Sequence, residues 1–296
     1  MNFFQKNAKY IVILAVVASS TSGIFAKYIS ANSLVIGFYR QLFALPIFLI
    51  PVVISYREEL KSLIKLDVIW AIISGIFLFG HFYCWFTAVK HTAVASAVVL
   101  AALHPLIVII IITTVFKEKI PIKSIVGVLI AIFGGTVVAG FDYTFAGSHI
   151  IGDILAILSA GFMGIYFVIG AKVRKRMPAA IYVMIVFGTS LICFFVGMVL
   201  TKTPFVGYPI SDWIAILGAT IICQIGAHGV WNWCMGYVTS LYVSAWETME
   251  IVFATFFAFW VFGEIPTVWQ LIGATVVIIG LLFYNYSENN KLKEGK

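Results

Sequence analysis

The chain has 296 residues, of which 62% are hydrophobic and only 10% charged. Soluble domains hold about 45–50% apolar and about 25% charged residues, so a water-soluble globule is excluded. Disorder is excluded as well, because it goes with few apolar and aromatic residues, and 16% of this chain is aromatic. The net charge of +7 is no sign of a nucleic-acid partner, since basic residues can sit only between the apolar runs, where they report topology.

A helix needs about 20 apolar residues to cross the hydrocarbon core of a bilayer. In chain order such runs fall near 10–28, 33–55, 67–90, 93–116, 122–140, 151–171, 180–200, 212–236, 240–262 and 266–286. The pattern predicts an all-α membrane protein of ten transmembrane helices, the first to tenth spans, joined by short connections. Lys6 and Lys9 precede the first run as in a secretory signal, but no small-x-small cleavage site stands out and more spans follow. Fifteen of the 19 Lys and Arg residues fall at the two termini and after the second, fourth and sixth spans. Lys27, Lys90 and Lys202 fall on the opposite side, and Arg40 lies within the second span. The positive-inside rule then places both termini in the cytoplasm of a multi-pass protein of the cell membrane. The basic run Lys172 to Arg176 reads as part of this signal, with an anionic-lipid patch as its alternative. Asp67, Asp153 and Asp212 open spans and read as helix caps. Cys84, Cys193, Cys223 and Cys234 lie in apolar runs without CxxC spacing, as small core residues rather than a disulfide or metal framework.

The chain repeats itself. A shift of 146 superposes Gly80 on Gly226, Trp85 on Trp231, Phe116 and Glu118 on Phe262 and Glu264, and Gly127 and Gly134 on Gly273 and Gly280. The early spans match at a shift of 141, where Ala15, Ser19 and Gly23 meet Ala156, Ala160 and Gly164. Small residues at every fourth position let membrane helices approach closely. Two halves follow, 1–145 and 146–296, each of five spans. Five is odd, so the second half crosses in the opposite sense. In keeping with this, the turn after the fourth span carries Lys117, Lys119 and Lys123, whereas its counterpart Gly263 to Trp269 carries no Lys or Arg. Inverted repeats are a common architecture of secondary transporters, with the substrate site near the midplane between the halves.

Several of these stretches resemble a known family. His104-Pro105 through Phe116-Lys117-Glu118, followed by Gly127 and Gly134, resembles the close of the first half of EamA-type members of the drug/metabolite transporter superfamily. Glu250 through Phe262-Gly263-Glu264, followed by Gly273 and Gly280, resembles the close of the second half. There Ile251 stands where the family has proline, and with it goes the expected cause of a kink. Tyr39-Arg40-Gln41 with Ala44 resembles the arginine-bearing second helix. The resemblance implies ten helices around a central cavity, the fifth and tenth peripheral, and alternating-access movement of amino acids, sugars or other small metabolites. No GxxxxGK[ST] motif is present, so the chain itself is not expected to hydrolyse ATP.

Ionisable residues at membrane depth mark substrate or ion pathways by default. Glu247 and Glu250 lie mid-way along the ninth span, three apart and on one helix face. Two such carboxylates repel when both are ionised, which suits a proton-coupled step or recognition of a cationic amine. Glu250 matches the family position and is expected to serve mechanism generally; Glu247 does not, and is expected to discriminate substrates. The shift of 146 sets His104 opposite Glu250, as a proton-exchange partner or as a ring bonding a carbonyl. His81 is grouped with them for proton coupling, and His228 with the substrate-binding side chains; with the glutamates they form no recognised metal-binding spacing. Arg40 either forks onto a substrate carboxylate or snorkels to the interface. Gln224 and Asn232, eight apart, are expected near one face as donors to substrate. The deeper rings Tyr83, Trp85, Tyr166, Trp231 and Trp246 read as a cage for an ammonium group or as walls for an apolar side chain. Glu118 and Glu264 lie in turns, as caps or gate hinges.

The expectation is a secondary transporter, and not an enzyme, for a small-molecule metabolite such as an amino acid or amine. Its partners are the lipid bilayer and a coupling H+; it is a monomer or homodimer, with neither cofactor nor nucleic acid. The rivals are an intramembrane enzyme using Glu247, Glu250 and His104 as acid and base, and a transporter of sugars, nucleotides or other non-amine metabolites.

Overall fold

The structure, a computed structural model, describes residues 3–92, 94–139, 150–263 and 265–294. Throughout these the ordered elements are helices, as an all-apolar environment demands, because a helix satisfies its own backbone polar groups. Eight stretches are long and apolar enough to cross a membrane: Ala8–Ala26, Ser33–Ser55, Lys65–His91, Ala97–Thr114, Ile150–Val173, Ala179–Leu200, Ile210–Cys234 and Val268–Glu288. Ile122–Val138 is apolar but shorter. The expected ninth span is divided between Ser240–Glu247 and Glu250–Phe262. The chain is thus an all-α, multi-pass membrane protein. The boundary expected at 145/146, and Glu264 with it, lie outside the described residues.

Local chemistry sets the ends of several helices. The Asn32 side chain accepts from Val35 N at 3.0 Å and caps Ser33–Ser55; Thr239 Oγ1 accepts from Tyr242 N at 3.1 Å and caps Ser240–Glu247. Lys117 (φ 53°) and Gly263 (φ 69°) take the left-handed turn that closes the fourth and ninth spans. They are 146 positions apart, so both halves use the same exit, with glycine bearing it at less steric cost than lysine.

The same spacing appears mid-membrane. The fourth span breaks at Ala102–Leu103, between Val94–Ala101 and His104–Thr114; the ninth breaks at Thr248–Met249. Across each break the backbone tightens to i→i+3 bonds, Leu103 N to Leu100 O at 3.3 Å and Met249 N to Trp246 O at 3.0 Å. Pro105 follows the first break, but Ile251 stands at the matching position, so the break does not depend on proline. The first span is also interrupted, at Ser20–Thr21, and the eighth is wound as a π-helix over Thr220–Gly229.

The fifth and tenth spans pack against each other backbone to backbone. A Cβ built on Gly127 would lie 2.9 Å from Gly280 O, and one on Gly134 2.8 Å from Gly273 O; Gly273 and Gly280 return the same contacts. The pairing is reciprocal, as the pseudo-twofold of an inverted repeat requires.

The three aspartates do more than complement their own helix ends. Each lies within the first turn of its helix and reaches across to another element. Asp67 receives Arg176 through two bonds, Nη2 to Oδ1 at 2.6 Å and Nε to Oδ2 at 3.0 Å. Asp212 accepts from Ser30 N (3.2 Å), Ser30 Oγ (2.9 Å) and Ala31 N (2.8 Å). Asp153 accepts from Thr92 Oγ1 at 2.7 Å. Asp67 and Asp212 open the third and eighth spans, and each ties down a segment of the other half. Their position in a first turn still complements the helix dipole.

Candidate functional site

The irregular segments converge. Around a cavity between the two halves stand Ser19 and Ser22 from the first span, Arg40 from the second, and His81, Phe82 and Trp85 from the third. Val98, Ala101, Ala102 and His104 come from the fourth, Cys223, His228 and Trp231 from the eighth, and Glu247, Glu250 and Ile251 from the ninth. Both halves supply the wall. Broken and π-wound helices are tolerated at membrane depth where they line a cavity, and they free polar groups to face it.

Glu250 is the first residue of its half-helix, where a carboxylate complements the dipole. Its Oε2 accepts from Ser19 Oγ at 3.0 Å and its Oε1 from Ser22 Oγ at 3.3 Å. His104 is the first residue of the matching half-helix. It does not meet Glu250, as the repeat suggested. Its Nε2 lies 3.2 Å from Glu247 Oε2, and its Nδ1 lies 2.7 Å from Ser244 Oγ. The break at 248–249 separates the two glutamates onto different half-helices, so they do not share a continuous helix face; both nevertheless face the cavity. The His104–Glu247 approach misses hydrogen-bond alignment, which leaves Glu247 Oε2 buried without a donor.

Arg40 does not snorkel. It is 3% exposed, and its guanidinium packs over the rings of Phe82 and Phe86 at 4.7 and 5.3 Å. Nη2 donates to Gln224 Oε1 at 2.9 Å, and Gln224 Nε2 donates to Gln41 Oε1 at 3.1 Å. Its Nε is buried without an acceptor. His81 Nδ1 lies 2.9 Å from Ser159 Oγ. The His228 ring is 6.3 Å from that of His81 and 5.0 Å from that of Trp231.

Four of the expected substrate residues are elsewhere. Tyr83 is 38% exposed and stacks on Phe79, on the outer side of the third span. Gln224 lies behind Arg40 and holds it. Asn232 donates to Tyr166 Oη at 2.6 Å and to His228 O at 2.7 Å; the π-winding between Gln224 and Asn232 breaks the regular spacing that set them on one face. Trp246 packs beside Tyr242, away from the cavity. Glu118, expected as a cap or hinge, pairs with Lys172 at 2.5 Å. Conversely, Ser19, Ser22, Phe82 and Ser244 belong to the site and were not expected. Ser19 reads in the sequence as a small packing residue. Its spacing of three from Ser22 was the available signal.

The cavity is closed on one side and approached from the other. A second cavity shares Ser22, Trp85, Val98 and Glu250 with it and reaches Ala26 and Lys90, on the face the charge count assigns to the outside. On the opposite side Tyr166, Phe167 and Trp231 are fully buried, with Phe167 5.4 Å from Tyr166 and 5.9 Å from Trp231. Beyond them a cleft lined by Lys9, Lys172, Lys175 and Tyr242 has no lining residue in common with the central cavity.

A family model described as the EamA-like transporter family matches residues 8–140 and again 150–286. Among relatives, the chain is 25% identical to the uncharacterized transporter YyaM of Bacillus subtilis, over 78% of each chain. It is 24% identical to an uncharacterized transporter of Archaeoglobus fulgidus, over 71% of this chain and 72% of that one. A WAT1-related protein of Arabidopsis thaliana matches at 23% identity over 96% of this chain and 88% of its own. A crystal structure superposes with a TM-score of 0.76 at 18% identity, over 94% of this chain and 97% of the other, which is a likeness of fold.

Proposed function

The chain belongs to the EamA-like transporter family, and from that premise we propose a secondary active transporter of an amino acid or amine, coupled to protons and working by alternating access. One observation carries the reading: a buried cavity, walled by both halves, that presents Glu247 and Glu250 among aromatic rings and is approached from one face. Carboxylates attract an ammonium group, and Trp85 and Trp231 on the same wall add aromatic rings that favour a cation. Glu250, on the cavity wall and held by Ser19 and Ser22, is the proposed proton carrier, within reach of the substrate's position. The two halves, each with a broken helix at the cavity, supply the pair of elements that rock. Family membership speaks against an intramembrane enzyme. Purified protein in liposomes should exchange labelled amino acids or amines, and an inward proton gradient should speed uptake. No flux across a broad panel would overturn the reading; flux indifferent to the gradient would remove proton coupling alone.

A further inference from the structure

The central cavity holds two unmatched polar groups of opposite kind. Arg40 Nε is a buried donor without an acceptor, and Glu247 Oε2 is a buried acceptor whose approach to His104 Nε2, at 3.2 Å, is out of hydrogen-bond alignment. Such groups are costly to leave unmade. Both residues line the same cavity, Arg40 from the first half and Glu247 from the second. Glu250 differs, because Ser19 and Ser22 already donate to it. Trp231 Nε1 is a further buried donor without a partner on the same wall.

Arg40 is built as a receptor for a planar anion. The Gln41–Gln224 chain fixes one terminal nitrogen, and the rings of Phe82 and Phe86 fix its plane. What remains is the unpartnered Nε of a guanidinium whose plane is already set, and carboxylates match that group in geometry as well as in charge. A simple amine would satisfy Glu247 and leave Arg40 unmatched. An anion without an amine would do the reverse.

Resting on the transporter reading of this cavity, we infer that the substrate is held as a zwitterion, its carboxylate on Arg40 and its ammonium on Glu247. Arg40 is then a specificity-determining residue that sets α-amino acids apart from amines.

The test uses the full-length protein in liposomes, with the twenty standard amino acids as counterflow substrates. Those that exchange are then compared with their amides, which lack the carboxylate, and their N-acetyl forms, which lack the ammonium. The free form should exchange at least about tenfold better than either, as loss of one charge-assisted bond predicts. Arg40→Gln should bring free acid and amide to similar rates while leaving discrimination against the N-acetyl form. Glu247→Gln should do the opposite. Arg40→Lys keeps the charge without the fork; it guards against misfolding in Arg40→Gln and should also narrow the preference for the free acid. Amides exchanging as well as free acids in the wild type, or a ratio unmoved in a folded Arg40 variant, would overturn the inference while leaving a transporter of amines. Absence of exchange for every amino acid, amide and amine would remove the transporter reading together with it.

Discussion

Two glutamates three positions apart have different surroundings, and their substitutions should differ accordingly. Glu250 is held by two serine hydroxyls at the N-terminus of a half-helix. Glu250→Gln removes the charge from that setting and should slow transport of every substrate by about ten- to hundredfold, the scale of a charge-assisted hydrogen bond of about 1.5–3 kcal/mol. Glu247→Gln should instead alter which substrates are preferred. Initial rates for a substrate panel separate the two outcomes. Equal behaviour of both variants would show that neither has a private role. At this scale the sequence exposed the charges, because an ionisable residue in an apolar run has few ordinary explanations. It did not expose their partners. Ser19 and Ser22 are unremarkable in a membrane helix, and the repeat sets His104 opposite Glu250 whereas its ring reaches Glu247.

The helices themselves were legible because 20 apolar residues have one common meaning, and the breaks within them were not. Hydropathy continues through Ala102–Leu103 and Thr248–Met249, so nothing in composition marks the turn. In the ninth span the missing proline argued against a kink. The structure makes a sharp prediction there. Residue 251 lies in the first turn of a half-helix, where proline is tolerated, and its N–H bond to Thr248 O is long at 3.4 Å. Ile251 does pack, at 5% exposure, so Ile251→Pro should lower the melting temperature no more than Ile251→Ala does. A much larger drop would show that the backbone N–H is needed. Gly273 gives the contrasting case. A Cβ there would stand 2.5 Å from Val138 N and 2.7 Å from Gly134 O. Gly273→Val should destabilise the pairing of the fifth and tenth spans by at least about 1–3 kcal/mol, read as earlier thermal unfolding in detergent.

Across the whole molecule, the two faces are fastened by different means. On the basic face Asp67 holds Arg176 and Glu118 holds Lys172. On the other face Asp212 holds the amides of Ser30 and Ala31, Asp153 accepts from Thr92, and Lys90 donates to the Ala31 carbonyl. Asp67→Asn should therefore favour opening of the basic face. The native Cys223 on the cavity wall reports this: a membrane-impermeant thiol reagent applied from that side should label it at least about two- to fivefold faster, since a two-bond pair with Asp67 buried is worth no less than an exposed one. Unchanged labelling would mean the aromatic layer of Phe167 and Trp231 alone holds that side shut. The fastenings also differ in their response to the medium. Arg176 is 58% exposed and Lys172 39%, so dissolved ions screen these pairs over less than about 10 Å at 0.1 M. On the other face the Asp212 carboxylate is held chiefly by backbone amides and a serine hydroxyl, with Lys90 as a neighbouring charge, so less of its fastening depends on a full ion pair. Ionic strength thus acts more strongly on the basic-face gate than on the other, so the salt content of a single compartment biases which way the empty protein faces.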